Sequence, residues 1–295
     1  MKIIVCLKEV IDPALNLDFG LVNRVVFREG LPLKLNPNDA AALALSLGIK
    51  TVSKESQVEI TLVSIGPERV AGYLRNGLSL GADKAVRIWD EDFETLSPYR
   101  KARLLTGAVS LLGADLVFTG ARSLDTGCGQ VGPLLAAWSG LPCVSDVVNV
   151  ELDAENKKIT LTKDIGRGGR EKIQCSLPAV ITVKGEGKLP YASLDRLIVS
   201  RYSVITLLSP ADLGISPAEL KNDPTMVSDL VFPRPLPRKV PSLDSSRPAF
   251  YRILQLLAGG ISRRKGLMLQ GNSEELAEQL FKLLKEEGVI RSAVD

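Results

Sequence analysis

Short apolar runs alternate with longer stretches of helical periodicity over the first 140 residues. Lys2-Ile-Ile-Val-Cys-Leu7 is rich in β-branched residues and predicts a buried parallel strand. Further strands are predicted at 58–63, 84–88 and 114–119, and helices at 36–49, 68–80, 97–112 and 134–138. This alternation predicts an α/β fold: an open, mostly parallel sheet with helices on both faces.

The pattern changes after Pro142. Short strands are predicted at 144–152, 158–163, 171–175 and 179–183, as antiparallel additions to the sheet. A polar, glycine-containing segment follows at 184–195. We therefore predict one α/β domain over residues 1–216.

The end of the chain differs in character from this domain. Residues 217–248 are rich in proline and have little periodicity, which predicts an extended arm. Residues 249–295 form a C-terminal piece whose helix at 272–287 carries an apolar face, with Glu275 at a capping-box position. One helix cannot bury that face alone, so we expect this piece to dock on another domain.

A glycine-rich loop, Gly120-Ala-Arg-Ser-Leu-Asp-Thr-Gly-Cys-Gly-Gln-Val-Gly-Pro133, connects a predicted strand to a predicted helix. Backbone N–H groups at such a helix start, here those of Gln130, Val131 and Gly132, attract phosphate. A plain tight connection remains the alternative, since neither a G-x-x-x-x-G-K-[ST] loop nor a complete dinucleotide fingerprint is present. In parallel sheets ligands bind beyond the carboxyl ends of strands, here near Cys6, Ile65 and Gly120.

Composition excludes several classes of function. The net charge of +3 and the 5% of aromatic residues do not favour a nucleic-acid partner. No apolar run reaches the ~18 residues of a membrane span, and the N-terminus does not look like a signal peptide, so we expect a cytoplasmic protein.

The chain contains no histidine, and its four cysteines are far apart in sequence. This argues against a zinc or iron–sulfur site within the chain, and no metal ligand is predicted. Triads that need histidine are also excluded, and no catalytic residue is predicted.

Several motifs in a fixed order resemble those of the small (beta) subunit of electron-transfer flavoproteins. They are Leu35-Asn-Pro-Asn-Asp39, Gly66-Pro67, Leu80-Gly-Ala-Asp83, the loop from Gly120 to Gly132, Leu177-Pro-Ala-Val-Ile-Thr-Val183, Pro190-Tyr-Ala-Ser-Leu194 and Pro210-Ala-Asp-Leu-Gly214. Each is weak alone, but together they cover about residues 1 to 225.

This resemblance implies an adenine-nucleotide-binding α/β domain paired with a large (alpha) subunit that carries a redox-active FAD. It also implies that the C-terminal piece, residues 249–295, docks on the flavin domain of that subunit. It places the following residues around the nucleotide of the small subunit: Cys6, Asn36, Ile65, Gly120, Ser123, Leu124, Asp125, Gly129, Gln130, Val131 and Gly132. Asp125 would lie near ribose or phosphate. From the residues alone, Asn36 or Asn38 is predicted to cap the helix at 36–49. Leu194 matches the leucine with which related small subunits dock to a dehydrogenase.

The resemblance leaves the nucleotide open between FAD and AMP. Gly129-Gln-Val-Gly-Pro133 departs from the common Asn-Gln-Thr-Gly pattern and is similar to members that hold a second FAD, which favours FAD. With FAD, the complex would take a hydride from NADH and bifurcate the electron pair between acceptors, including quinone-reducing or ferredoxin-linked partners. With AMP, the chain would only stabilise the heterodimer and present Leu194 to a dehydrogenase.

Two other classes share the predicted sheet. A nucleotide-binding regulatory α/β module would not explain residues 177–214. An ATP-pyrophosphatase-type enzyme would need a Ser-Gly-Gly-x-Asp-Ser loop after the first strand, and Lys8-Glu-Val-Ile-Asp12 stands there instead.

Overall fold

The structure, a computed structural model, describes residues 1–12, 21–22, 25–26, 32–52, 58–91, 93, 96–153, 158–225, 248–257 and 269–286. The chain divides into two compact units, Met1–Val231 and Phe232–Asp295.

The strands are β1 (Lys2–Leu7), β2 (Glu9–Ile11), β3 (Leu21–Val22), β4 (Val25–Val26), β5 (Leu33–Leu35), β6 (Glu59–Ile65), β7 (Lys84–Ile88), β8 (Leu116–Gly120), β9 (Cys143–Asp153), β10 (Lys158–Gly166), β11 (Gly169–Ser176), β12 (Ala179–Val183) and β13 (Thr206–Leu208). The helices are α1 (Pro37–Val52), α2 (Ala71–Leu80, preceded by a 3-10 turn at Glu68–Val70), α3 (Pro98–Leu112), α4 (Val131–Ser139), α5 (Leu194–Tyr202), α6 (Pro217–Lys221), α7 (Ala249–Leu257) and α8 (Ser273–Glu286).

The first unit is built on a nine-stranded sheet with the order β11-β10-β9-β12-β8-β1-β6-β7-β13. Every neighbouring pair from β9 to β13 is parallel. β10 and β11 pair antiparallel at the other edge, and β2 with β5 forms a small separate antiparallel sheet. The predicted open, mostly parallel α/β fold is confirmed.

Alternation along β1 separates two apolar layers, because successive side chains of a strand point to opposite faces. Ile3 and Val5 pack in a cluster with residues of α1 and α2. Ile4 and Cys6 pack in a second cluster with residues of α3 and α4. Helices therefore cover both faces of the sheet, as predicted.

The position of β12 corrects one prediction. We predicted an antiparallel addition at 179–183, but this strand lies inside the parallel part of the sheet, between β8 and β9. All five of its side chains are buried. A short, continuous apolar run is typical of a strand that is covered on both faces, so the composition of β12 agrees with its place.

Two further predictions change after residue 184. The polar segment predicted at 184–195 ends in a helix, α5, whose N-cap Ser193 accepts a hydrogen bond from the N–H of Arg196. The extended arm predicted at 217–248 is wrong for its first residues, since α6 begins there with a capping box formed by Ser216 and Glu219. Residues 226–247 of that arm lie outside the described residues.

The second unit contains α7 and α8. At the start of α8 the N–H of Glu275 donates to Asn272 Oδ1 at 2.9 Å, and the N–H of Asn272 donates to Glu275 Oε2 at 3.3 Å. These reciprocal bonds confirm the predicted capping position of Glu275. Among the described residues, no helix is both long and apolar enough to cross a membrane.

Candidate functional site

The order of the central strands places a crevice between β1 and β8. From β1 the chain passes to β6 on one side, whereas β8 adds on the other side of β1. The direction of strand addition therefore reverses between β1 and β8. Such a reversal is where open parallel sheets bind ligands, beyond the carboxyl ends of the strands. The glycine-rich loop leaves β8 at Gly120, at this edge.

Asp39, in the first turn of α1, ties together the elements around the crevice. Its carboxylate accepts hydrogen bonds from the N–H of Lys8 at 2.7 Å and from Asn36 Nδ2 at 2.8 Å, and the backbone of Gly120 also interacts with it. The residue is 4% exposed. Burial raises the pKa of the Asp39 carboxyl to about 7, although the bonds from Asn36 and Lys8 oppose that rise. Sequence reasoning missed Asp39; an acidic residue in the first turn of an Ala/Leu-rich helix was the signal available.

Asn36 makes three side-chain hydrogen bonds, two of which hold the glycine-rich loop. Besides its bond to Asp39, Nδ2 donates to the carbonyl of Arg122 at 3.0 Å, and Oδ1 accepts from the N–H of Leu124 at 3.1 Å. Both Nδ2 hydrogens therefore have acceptors within the protein. The prediction that the side chain caps α1 is wrong, because its oxygen bonds to the loop.

Asn38 bonds to two separate segments. Its Nδ2 donates to the carbonyl of Arg122 at 2.8 Å, and its Oδ1 accepts from the N–H of Gly185 at 3.0 Å. Asn38 was the alternative predicted cap of α1, and that prediction is wrong for the same reason as at Asn36.

Asp125 projects from the loop and pairs with Lys8. Lys8 Nζ lies 2.6 Å from Asp125 Oδ1, and the side chains are 28% and 16% exposed. Partial burial raises the pKa of the Asp125 carboxyl, but hydrogen bonds from Lys8 and Ser123 outweigh it and hold the pKa below its usual value. The pairing with Lys8, which sequence reasoning missed, reduces the repulsion that a free carboxylate would exert on phosphate.

Two different structural reasons explain why glycine stands at four positions of the loop. A Cβ on Gly120 would collide with the carboxylate of Asp39, and one on Gly132 would lie 2.7 Å from Thr119 Oγ1. At these two positions protein atoms already take the space that a side chain would need, so glycine is required. Gly127 and Gly129 instead have φ of +63° and +64°, a region that favours glycine.

The start of α4 presents free donors. α4 begins at Val131, and its first backbone bond runs from the N–H of Leu134 to the carbonyl of Gln130 at 3.0 Å. Within the part of the chain that the structure describes, the N–H groups of Gln130, Val131 and Gly132 have no protein acceptor. Unpaired N–H groups at the positive end of a helix dipole favour an anion over a cation at this position.

The remaining predicted site residues lie at the ends of β1 and β6 and in the glycine-rich loop. Cys6 is buried in the core near the end of β1, and burial raises the pKa of its thiol. Ile65 ends β6, next to β1. Ser123 Oγ lies 2.8 Å from Thr126 Oγ1, and Leu124 is 43% exposed.

Leu194, the predicted docking residue, lies on α5 and is 71% exposed. It belongs to a set of exposed apolar side chains on and beside that helix. The set comprises Tyr191, Leu194, Leu197, Ile198, Val199, Tyr202 and Val204. Sequence reasoning named one member of this surface and missed the others.

Comparison with known proteins fits this geometry. The family model described as Electron transfer flavoprotein domain matches residues 24–188, more than half of the chain. The chain belongs to the electron transfer flavoprotein family. It is 30% identical over 230 residues to the electron transfer flavoprotein subunit beta of Clostridium acetobutylicum, covering 77% of this chain and 86% of that protein.

Two further relatives span similar lengths. The Protein FixA of Sinorhizobium fredii is 28% identical over 271 residues, covering 88% of this chain and 93% of that protein. The mitochondrial electron transfer flavoprotein subunit beta of Arabidopsis thaliana is 30% identical over 224 residues, covering 76% and 86%. The resemblance to small subunits that the motifs indicated is confirmed.

Proposed function

We propose that this chain is the small subunit of a heterodimeric electron-transfer flavoprotein and that it binds an adenine nucleotide at the crevice between β1 and β8. The observation that carries the proposal is the row of free N–H groups at Gln130, Val131 and Gly132, at the carboxyl edge of the sheet where strand order reverses. A phosphate fits this position because it is an anion with several acceptor oxygens.

The residues around the crevice fit such a ligand in three respects. Asn36 and Asp39 fix residues 120–124 of the loop before a ligand binds. Lys8 pairs with Asp125, so the charge of this carboxylate is balanced before a phosphate approaches. Thr119 Oγ1, at the end of β8, is buried without a hydrogen-bond partner within the described residues, so a polar group near Gly132 is still unused.

We favour FAD over AMP at this position. Gly129-Gln-Val-Gly-Pro133 lacks the Asn and Thr side chains of the common Asn-Gln-Thr-Gly pattern, which leaves fewer polar groups to close the mouth of the loop around a terminal phosphate. An open mouth suits a diphosphate that continues outward better than a terminal monophosphate. A flavin bound here would supply two-electron redox chemistry towards NADH and one-electron chemistry towards the acceptors. The residues of this chain would bind and orient it.

The proposed partners are a large subunit with its own FAD and a redox protein that docks on α5. Members of the family named subunit beta imply an alpha counterpart. The exposed apolar side chains of α5, Leu194 among them, give a surface on which a dehydrogenase or another electron acceptor can bind.

The first experiment is to measure flavin and AMP per heterodimer after co-purification with the large subunit, by acid release and chromatography. We expect two FAD and no AMP. One FAD with one AMP would replace FAD by AMP at this site and make the chain a structural and docking subunit. No adenine nucleotide attributable to this chain would overturn the proposed site.

A pair of variants locates the nucleotide. Gly129→Val places a β-branched residue at φ +64° in the loop, and Gly168→Val does the same at φ +81° in the β10–β11 turn, where a Cβ meets nothing within 4 Å. We expect Gly129→Val to lose the nucleotide and Gly168→Val to keep it. Equal retention by both variants would exclude the loop as the binding position.

A further inference from the structure

Asn38 links the glycine-rich loop to the segment that leads into α5. On one side its Nδ2 bonds to the carbonyl of Arg122, two residues into the loop. On the other side its Oδ1 bonds to the N–H of Gly185, two residues after the end of β12. One short side chain thus joins positions that lie 84 and 147 residues away in sequence.

We define the strap as residues 184–193, between β12 and α5. The strap is attached at its beginning by the bond from the N–H of Lys184 to the carbonyl of Val147 at 2.8 Å and by the bond from Gly185 to Asn38. Gly187 lies so close to the backbone of α1, at Ala40 and Ala41, that a Cβ there would collide with it. Within the described residues, no backbone hydrogen bond fixes the strap between Gly185 and Ser193. Leu189 packs against the apolar core, so the strap is held by that contact, by the close approach of Gly187 to α1 and by the hydrogen bonds at its beginning.

The loop is attached to the same place. The N–H of Ala121 donates to the carbonyl of Val183, the last residue of β12, at 2.7 Å. Asn36 and Asn38 both donate to the carbonyl of Arg122. A shift of residues 121–124 on binding a phosphate would therefore act on Asn38, and through Oδ1 on the beginning of the strap.

We propose that Asn38 is a positioning residue that transmits occupancy of the loop to the strap and so to the start of α5 at Leu194. The proposal rests on the proposed function, because it takes the loop as the nucleotide site and α5 as the docking surface. A loaded chain would then hold α5 in a more defined position than an empty chain, and a redox partner would bind the loaded chain preferentially.

Two substitutions test the two hydrogen bonds of Asn38 separately, the bond to Arg122 and the bond from Gly185. Asn38→Asp keeps an oxygen that accepts from Gly185 but loses the donor to Arg122. Its new charge lies in the first turn of α1, where a negative charge is favourable. Asn38→Ala removes both hydrogen bonds. Asn149→Asp, at an exposed position on β9, is the matched control for the change of charge.

The test is amide hydrogen exchange of the full-length chain with and without AMP, followed at residues 121–126 and 185–193. In the wild type and in Asn149→Asp we expect AMP to slow exchange in both segments, by about two- to tenfold for one hydrogen bond gained. In Asn38→Asp we expect slowing in the loop and none in the strap. Equal slowing of the strap in Asn38→Asp would overturn the proposal.

Hydrogen exchange measured without AMP still tests the connection through Asn38 if AMP does not bind at this site. Absence of any slowing by AMP in the wild type counts against AMP binding at this site. In the empty chain, Asn38→Ala should then speed exchange in both segments, whereas Asn38→Asp should speed it only in the loop. A strap that exchanges at the wild-type rate in Asn38→Ala would overturn the link by itself.

Discussion

A single buried carboxylate, that of Asp39, determines the shape of the crevice floor. It joins the end of β1 at Lys8, the start of α1 at Asn36 and the end of β8 at Gly120. A carboxylate serves here because it only accepts hydrogen bonds, and each of these neighbours offers a donor. An amide would have to place its NH₂ against one of them, which costs about 1–3 kcal/mol.

The raised pKa of Asp39 makes the stability of the chain depend on pH. The folded-state pKa of about 7 lies above the ordinary 3.8, so between these values the folded chain holds a proton that the unfolded chain has lost. The contribution of this group therefore falls as pH rises from about 4 to about 7 and is constant above. Relative to Asp39→Asn, the wild type should lose on the order of 4 kcal/mol over that range.

Denaturant unfolding of the wild type and Asp39→Asn at several pH values between 4 and 8 measures this difference. Other titrating groups are common to both proteins and cancel. At pH 4 the substitution itself should lower stability by about 1–3 kcal/mol, because Lys8 or Asn36 loses its acceptor, and the two curves should cross before pH 8. Two curves that run parallel across the range would contradict the raised pKa.

Gly120 is a position where no side chain fits. Gly120→Ala would push a methyl group into the Asp39 carboxylate and to 2.9 Å from Asn36 Nδ2. We expect a loss of about 1–3 kcal/mol in the free energy of unfolding, measured in urea, together with weaker nucleotide binding. Gly48→Ala, in α1 with nothing within 4 Å of the new Cβ, should instead be neutral or stabilising by up to about 1 kcal/mol. If the two variants lost equal stability, the crowding at Gly120 would not be the cause.

The two asparagines before and within α1 show what a residue pattern can and cannot predict. Asn36 and Asn38 stand where a helix cap is expected, and local rules predict that role. Their side chains bond instead to Arg122, Leu124 and Gly185, which lie 84 to 147 residues away. Local spacing holds no information on such partners, so the position was predicted and the contacts were not.

At the scale of elements, burial on both faces made the central strands predictable. β1, β7 and β12 have the predicted bounds: β1 and β12 are nearly continuous apolar runs in the core, and β7 buries Ala85, Val86 and Ile88. The direction of β12 was not predictable in the same way, since its partner β8 is remote in sequence. α5 was missed because its apolar side chains are exposed and do not form one buried stripe; Ser193 as N-cap and Asp195 in the first turn were the local signals.

The exposed face of α5 gives a prediction for docking. Leu194→Ala removes a side chain that is 71% exposed, so the stability of the chain should not change measurably. If Leu194 enters a pocket of the partner, the loss exceeds about 1 kcal/mol, which raises the KM for the dehydrogenase about fivefold or more. Steady-state reduction of the heterodimer at varied dehydrogenase concentration measures this value.

Leu111→Ala is the control, since Leu111 is 55% exposed near the end of α3 and outside the α5 surface. Its KM should equal that of the wild type. An unchanged KM in Leu194→Ala, or the same increase in both variants, would remove Leu194 from the docking surface.

For the whole molecule, the second unit raises the question of what covers its helices. Phe250 and Tyr251 of α7 are 66% and 58% exposed, and Leu280 and Phe281 of α8 are 51% and 58% exposed. Large apolar side chains grouped in this way mark an interaction surface. We proposed from the sequence that this piece docks on the large subunit, and the exposed side chains are available for that contact.

Phe281→Ser therefore should weaken assembly with the large subunit by about tenfold or more, as expected for an aromatic residue that is buried at an interface. Lys282→Ser, at the next and also exposed position of α8, should assemble as the wild type does. Titration of the large subunit against each variant, followed by light scattering, gives the two dissociation constants.

The urea midpoint of the first unit should be unchanged in both variants, because neither residue belongs to its core. Because Phe281→Ser leaves that core intact, weaker assembly with an unchanged midpoint would assign the docking role to α8. Assembly unaffected by Phe281→Ser would mean that another surface holds the subunits together.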